Sequence, residues 1–339
     1  MNMRLIEYLK LARSFNAVLT GVSPVMGAIA MGQFDLTHLI ILFIIGFLGH
    51  TYGFVLNDIL DYKIDKESKE ISDRPLISGT ITLRQAWIFA LVSAMIALLL
   101  AFYLSYQTGH WIAFAVLILS ALFVTLYNLV SKLFPLTDII LAVGVSLLVL
   151  YGATMQTMYL STISTLAWIV CILGGIQVLF MNIVAGGLKD IENDYKKQAK
   201  TLAVKLGVRV QNQTMKVTTT FKIVAFGIQA VNIALVFLAF FILNPITHLT
   251  FLGYLQLSLL VLLSSVMLFF SYKLLSQRLF QRNIIRKFIG LHYYTNFALV
   301  PIMLLSLHPA VILLALFPAL GFILSNLILH GTILQPKTM

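Results

Sequence analysis

The chain has 339 residues, of which 60% are hydrophobic and only 10% charged, against about 25% charged in an average soluble domain. With a mean hydropathy of +0.97, so few charges cannot shield so much apolar surface from water. This excludes a cytosolic enzyme, a disordered chain and a disulfide scaffold, the last also because Cys171 is the only cysteine. The net charge of +11 would suggest nucleic acid in a soluble protein, so the placement of the charges decides its meaning.

Uninterrupted apolar runs long enough to cross a bilayer fall at about 14–33, 38–60, 85–106, 110–130, 136–158, 165–188, 218–243, 249–272, 288–307 and 309–330. The expected fold class is therefore all-α: one polytopic membrane domain over 1–339, with nine to ten transmembrane helices around a central cavity. The last two runs are parted only by the Leu307–Pro309 region and read either as two spans or as a span plus a re-entrant piece. Arg4, Lys10 and Arg13 ahead of the first run, with Ala28-Ile29-Ala30 inside it, imitate a secretory signal. The run is long enough to span, and it is read as the first helix.

Every Lys and Arg falls on one set of alternating loops or at its edge, namely 1–13, 61–84, 131–135, 189–217, 273–287, 331–339 and Lys222. The opposite loops hold none. By the positive-inside rule both termini and the charged loops face the cytoplasm, as expected of an integral protein of a prokaryotic-type cell membrane. The basic excess is thus mainly topology, and no nucleic acid or obligate protein partner is implied.

Two of these loops open on acidic clusters. Asn57-Asp58-Ile59-Leu60-Asp61-Tyr62-Lys63-Ile64-Asp65 closes the second run, and Lys189-Asp190-Ile191-Glu192-Asn193-Asp194-Tyr195 closes the sixth. On a helix, residues three or four apart share a face, so Asp58, Asp61 and Asp65 form one stripe and Asp190 and Asp194 another. Glu192 points elsewhere unless the helix unwinds. Together these stretches hold 6 of the 12 acidic residues. Carboxylates at the edge of hydrocarbon repel one another and lose hydration, a costly placement that marks function. Mg²⁺ relieves such repulsion and bridges carboxylates to phosphates, so the paired clusters suggest a clamp for a diphosphate. A solvated loop balanced by lysines is the alternative, and repetition at matching places argues against it. Arg13, Arg74, Lys132, Lys189, Lys200 and Lys205 surround the clusters, with Tyr127 and Asn128 ending the fourth run on the same side. Among polar residues inside the runs (His50, Tyr52, Asn128, Asp138, Gln177, Asn182, His292, Tyr293, Tyr294 and Asn296), mutual hydrogen bonding between helices is the default expectation. Asp138 either orients a ligand or pairs with Lys132. No triad, zinc spacing, P-loop or dinucleotide fingerprint is present.

At these residues the chain resembles the UbiA superfamily of intramembrane prenyltransferases. Asn57, Asp58, Asp61 and Asp65 match its Asn-Asp-x-x-Asp-x-x-x-Asp motif, and Asp73-Arg74-Pro75-Leu76-Ile77-Ser78-Gly79 matches the basic segment that follows. Asp190, Asp194 and Lys200-Thr201-Leu202 match the second motif, except that Gln198 stands where the family often has Gly. Tyr127 and Lys132 are similar to a Tyr and Lys in the loop after helix four. The resemblance covers about Tyr8 to Leu329 and implies transfer of a prenyl chain from a polyprenyl diphosphate to a lipophilic acceptor, a reaction of the enzymes that transfer alkyl groups other than methyl. It implies Mg²⁺ held by Asp58, Asp61, Asp65, Asp190 and Asp194. The diphosphate would meet Asn57, Arg74, Lys132, Lys200, Tyr127 and Arg13, under cap loops at about 61–84 and 189–217. A quinone precursor or a prenylated glycerol phosphate is the expected acceptor. A UbiA-type terpene cyclase, and then a secondary transporter, are the alternatives.

Overall fold

The computed structural model describes residues 3–66, 71–131, 134–196 and 199–333. Each apolar run becomes a helix. The chain begins with α1 (Met3–Leu11), α2 (Ser14–Ala30), α3 (Leu36–Asp65), α4 (Leu83–Thr108), α5 (Trp111–Val130), α6 (Asp138–Thr154) and α7 (Thr165–Leu179). A π-helical stretch (Phe180–Gly186) continues α7 into the short helices α8 (Gly187–Lys189), α9 (Ile191–Lys196) and α10 (Leu202–Lys205). A hairpin of β1 (Arg209–Gln211) and β2 (Thr214–Lys216) precedes α11 (Thr219–Leu243), α12 (Phe251–Leu275), α13 (Arg282–Met303) and α14 (Ile312–His330).

The described residues supply eight helical segments long and apolar enough to cross a membrane, and two shorter apolar helices, α2 and α6. The latter two have 17 residues each, at the short end of the spanning range. The expected nine to ten spans are thus eight candidates plus these two. The final pair of runs is resolved as two helices, since Arg282–Ser306 and Pro309–His330 each qualify separately. Large apolar side chains point outward, as Phe251 (82% exposed), Leu252 (72%) and Ile328 (63%) do. Such a surface has its proper solvent in lipid, and the protein is an integral membrane protein.

Local chemistry sets the helix ends. Thr82 accepts from the Gln85 amide, and the Gln85 side chain returns to the Thr82 amide, a capping box that starts α4. Gly109, with φ of 76°, closes the same helix in the left-handed region. Thr218 and Thr250 cap α11 and α12 through side-chain acceptors. In the hairpin, Asn212 and Gln213 both take positive φ, as a two-residue loop matched to strand twist requires.

The chain divides into two compact units. Unit 1 comprises 1–129, 147–168 and 317–339, and unit 2 comprises 130–146 and 169–316. Inside unit 1, α2 and α6 meet backbone to backbone. A Cβ at Gly27 would lie 2.0 Å from the Val149 carbonyl oxygen, and one at Gly152 would lie 1.8 Å from that of Pro24. Small residues permit this approach where no hydrophobic effect drives helices together. Inside unit 2, Phe180, Leu188, Ile191, Val210, Met215, Phe221, Leu274 and Ile285 form one buried cluster. Several polar residues of the runs bond to one another between helices. In unit 1, Tyr52 Oη meets Thr125 Oγ1 at 2.8 Å. In unit 2, the Asn232 amide donates to Asn296 Oδ1 at 2.9 Å, and Gln229 Nε2 meets His292 Nε2 at 2.7 Å.

Candidate functional site

The acidic stripe of unit 1 is helical throughout, because α3 runs on to Asp65 rather than ending at the apolar boundary. Asp58, 6% exposed, is the buried member. Its Oδ1 accepts from Arg13 Nη2 at 2.6 Å and lies 3.6 Å from Arg74 Nη1. The same Arg74 nitrogen donates to Asp65 Oδ2 at 2.6 Å. One guanidinium therefore spans two carboxylates two turns apart, and Asp61, half-buried, sits between them on the same face. A buried carboxylate needs such compensation.

Arg13 reaches Asp58 from the junction of α1 and α2. It adopts φ 47°, ψ 48°, a left-handed conformation that costs an L-residue about 1–2 kcal/mol. The guanidinium carbon also lies 5.0 Å from the Phe54 ring centroid, and Phe54 stacks on His50 with centroids 4.1 Å apart. Asn57 donates to Asn128 Oδ1 at 3.3 Å, and Asn128 donates to the Gly53 carbonyl at 2.9 Å. Tyr127 lies beside Asn128 on α5, half-buried. Unit 1 thus gathers Arg13, Asp58, Asp65 and Arg74 into one charged network beside Asp61, with Asn57 bonded separately to Asn128.

In unit 2 the second stripe is interrupted. Asp190 ends α8 with φ −101°, ψ 3°, and α9 begins at Ile191. The Asp194 amide still donates to the Asp190 carbonyl at 3.0 Å, which preserves the four-residue relation. Asp190 is 40% exposed at the side chain and meets Arg282 Nη2 at 3.2 Å and Lys189 Nζ at 3.4 Å. Glu192 pairs with Lys196 at 2.8 Å, a bond within α9 that sets it apart from Asp190. Lys200 is exposed. Lys132 and Gln198 lie outside the described residues, whereas Asp138 opens α6, where a carboxylate meets the positive end of the helix dipole.

Arg282 escaped the sequence reading, where it counted only as a positive-inside charge. The hairpin places it. The Met215 amide donates to the Arg278 carbonyl and the Phe280 amide to the Gln213 carbonyl, both at 2.8 Å, so β2 and its turn fix the approach to α13. The hairpin itself was legible in the alternation Val208, Val210, Met215, Val217 around Asn212-Gln213, a signal masked by the surrounding charge. The π-helical stretch just ahead of Asp190 was not legible, and such stretches frequently mark functional sites.

Among the described residues, no three His, Cys, Asp or Glu side chains gather closely enough to hold a metal ion. Each unit instead presents one or two accessible carboxylate groups with Arg or Lys beside them. That arrangement suits a polyanion shared with a hard cation better than a metal bound by protein alone.

The chain is similar to proteins already characterised. Residues 17–278 match the UbiA prenyltransferase family. The chain is 31% identical over 212 residues to the digeranylgeranylglyceryl phosphate synthase of Thermococcus gammatolerans, covering 61% of this chain and 71% of that one. It is 28% identical over 190 residues to the 4-hydroxybenzoate octaprenyltransferase of Acidovorax ebreus, covering 55% and 62%. A UbiA homologue from Archaeoglobus fulgidus, solved bound to GPP and Mg²⁺, superposes with a TM-score of 0.59 at 16% identity, over 87% of this chain and 99% of that one.

Proposed function

Since the chain belongs to the UbiA prenyltransferase family and is a prenyltransferase, we propose that its two acidic clusters hold the diphosphate of a polyprenyl donor through Mg²⁺. The observation that carries this is the charged network of unit 1. There Arg13 and Arg74 order the stripe of the family motif around Asp58 and Asp65. The cation would be held by Asp58, Asp61 and Asp65 on one side and by Asp190 and Asp194 on the other. The donor set fits, since Mg²⁺ is commonly bound through one or two carboxylates, substrate phosphates and water. When bound, it offsets negative charge on the departing pyrophosphate.

The chain's own residues divide the remaining work. Arg13 fixes Asp58 through a buried ion pair, which keeps the stripe oriented. Arg74 stands close enough to exchange a carboxylate for a phosphate oxygen, a match suited to its planar fork. Asn57, Tyr127, Lys132 and Lys200 complete the diphosphate surroundings, with Lys132 supplying a point charge. Apolar helices keep bulk water from the allylic cation, and the face of an aromatic ring stabilises it. Loops 61–84 and 189–217 would close over the head group. The site faces the cytoplasm, the side to which all the Lys and Arg residues assign those loops.

The acceptor is a lipophilic molecule bearing an acid group, either a prenylated glycerol phosphate or an aromatic quinone precursor. The names of the two curated relatives support both classes. Purified protein supplied with Mg²⁺, labelled prenyl diphosphates and each acceptor class tests this. The expected result is a prenylated acceptor plus pyrophosphate, formed only with the metal present. A cyclic hydrocarbon formed without any acceptor contradicts it.

A further inference from the structure

We infer that the first turns of α13 hold the acid group of the acceptor, with Arg286 as its principal ligand. Arg286 lies one turn inside an apolar spanning segment, Arg282–Ser306, and is only 5% exposed. Among the described residues its one hydrogen bond runs from Nη1 to Asn283 Oδ1 at 3.2 Å, and its buried Nε has no partner there. No carboxylate lies within ion-pairing distance of it among the described residues. A guanidinium kept from water at the edge of hydrocarbon without a counter-ion is costly, and in a membrane protein it marks a ligand route.

The surroundings complete an oxyanion site. Arg282, four residues earlier, shares the helical face of Arg286 and reaches Asp190. Asn283 stands between them in sequence and receives the Arg286 bond. Gln281 precedes the helix without capping it through its side chain. The Ile284 and Ile285 amides donate to the Gln281 carbonyl, so the start of this 22-residue helix adds the positive end of its dipole. The site lies beside the second acidic cluster, so an anion there is adjacent to that part of the donor site without competing for its carboxylates. Guanidinium forks suit phosphate or carboxylate oxygens, the groups borne by the acceptors proposed above. The assignment of the anion to the acceptor rests on that reading.

The test compares wild-type chain with Arg286→Met and Arg286→Lys in detergent. In chelator-containing buffer without donor, inorganic phosphate is titrated while the thermal midpoint is followed. Phosphate should raise the midpoint of the wild type and not that of Arg286→Met. In turnover with Mg²⁺, Arg286→Met should raise the acceptor KM about tenfold or more, the scale of one lost charged hydrogen bond, with the donor KM unchanged. A rise in the donor KM instead gives the site to the diphosphate and overturns the inference. Equal phosphate response in wild type and variant, or none in the wild type, also overturns it. If Arg286→Met does not fold, Arg286→Lys carries the comparison: it keeps the charge but loses the fork, so an unchanged acceptor KM together with a wild-type phosphate response contradicts the assignment. The phosphate titration contains no metal, so its outcome is independent of whether the magnesium clamp is correct.

Discussion

Asp61→Asn and Asp194→Asn should each lower prenyl transfer by about 10²–10³-fold, the scale of removing one electrostatic partner of a transition state, while the protein remains folded. The two residues come from different units and differ in local setting, one within the long helix α3 and the other on the short helix α9. Both are half-buried, and the amide keeps the shape of the carboxylate. Asp58 is a poorer choice for this purpose, because its carboxylate neutralises Arg13 inside unit 1. Loss of that charge would disturb the fold and the chemistry together. The measurement is product formation at saturating Mg²⁺ alongside the thermal midpoint. Full activity in either variant would remove its carboxylate from the diphosphate site. A parallel fall in the midpoint would assign that residue to structure.

Gly152→Ala is expected to prevent recovery of folded protein. Its new Cβ would sit 1.8 Å from the Pro24 carbonyl oxygen, where backbone rather than a pliable side chain must give way. Relief requires α2 and α6 to separate along a seam that also contains Gly27, whose own Cβ position is 2.0 Å from the Val149 carbonyl oxygen. Overpacking typically costs about 1–3 kcal/mol and sometimes more. A clash at two backbones lies at the upper end, against net stabilities of about 5–15 kcal/mol. Gly227→Ala provides the control, since nothing lies within 4 Å of a Cβ there and a helical Gly→Ala change is otherwise favourable. Size-exclusion profiles in detergent should show loss of the monodisperse peak for Gly152→Ala and none for Gly227→Ala. A normal peak for Gly152→Ala would contradict the close approach of α2 and α6.

The spans were readable because a bilayer demands long apolar helices, and every run became one. Their ends were less readable. The fifth run extended to 158 in hydropathy, but α6 stops at Thr154, ahead of the polar pair Gln156 and Thr157. The second run ended at 60, yet α3 continues to Asp65, because its acidic residues keep helical spacing and gain Arg partners. Within the first cluster, helical spacing and the motif marked Asp58, Asp65, Arg74 and Arg13 as candidates, but spacing alone does not specify the bridge from Arg74 to two carboxylates. The pairing of Arg13 with Asp58 crosses 45 positions. Arg282 was hidden for a similar reason: its place beside Asp190 is set by the β1–β2 hairpin, a tertiary contact 92 positions away in sequence. Arg286 looked like one more anchor on the basic side, and only its burial sets it apart.

In the proposed clamp, carboxylates from two distant stretches of the chain serve one diphosphate. Anomalous scattering from crystals grown with Mn²⁺ and a non-ionisable thiolodiphosphate analogue of the donor measures this directly. Metal peaks should be bound at once to analogue oxygens and to carboxylates of both clusters, with Asp61 represented from the first and Asp194 from the second. Metal and analogue confined to one cluster, with the other still paired only to its arginines and lysines, would contradict it.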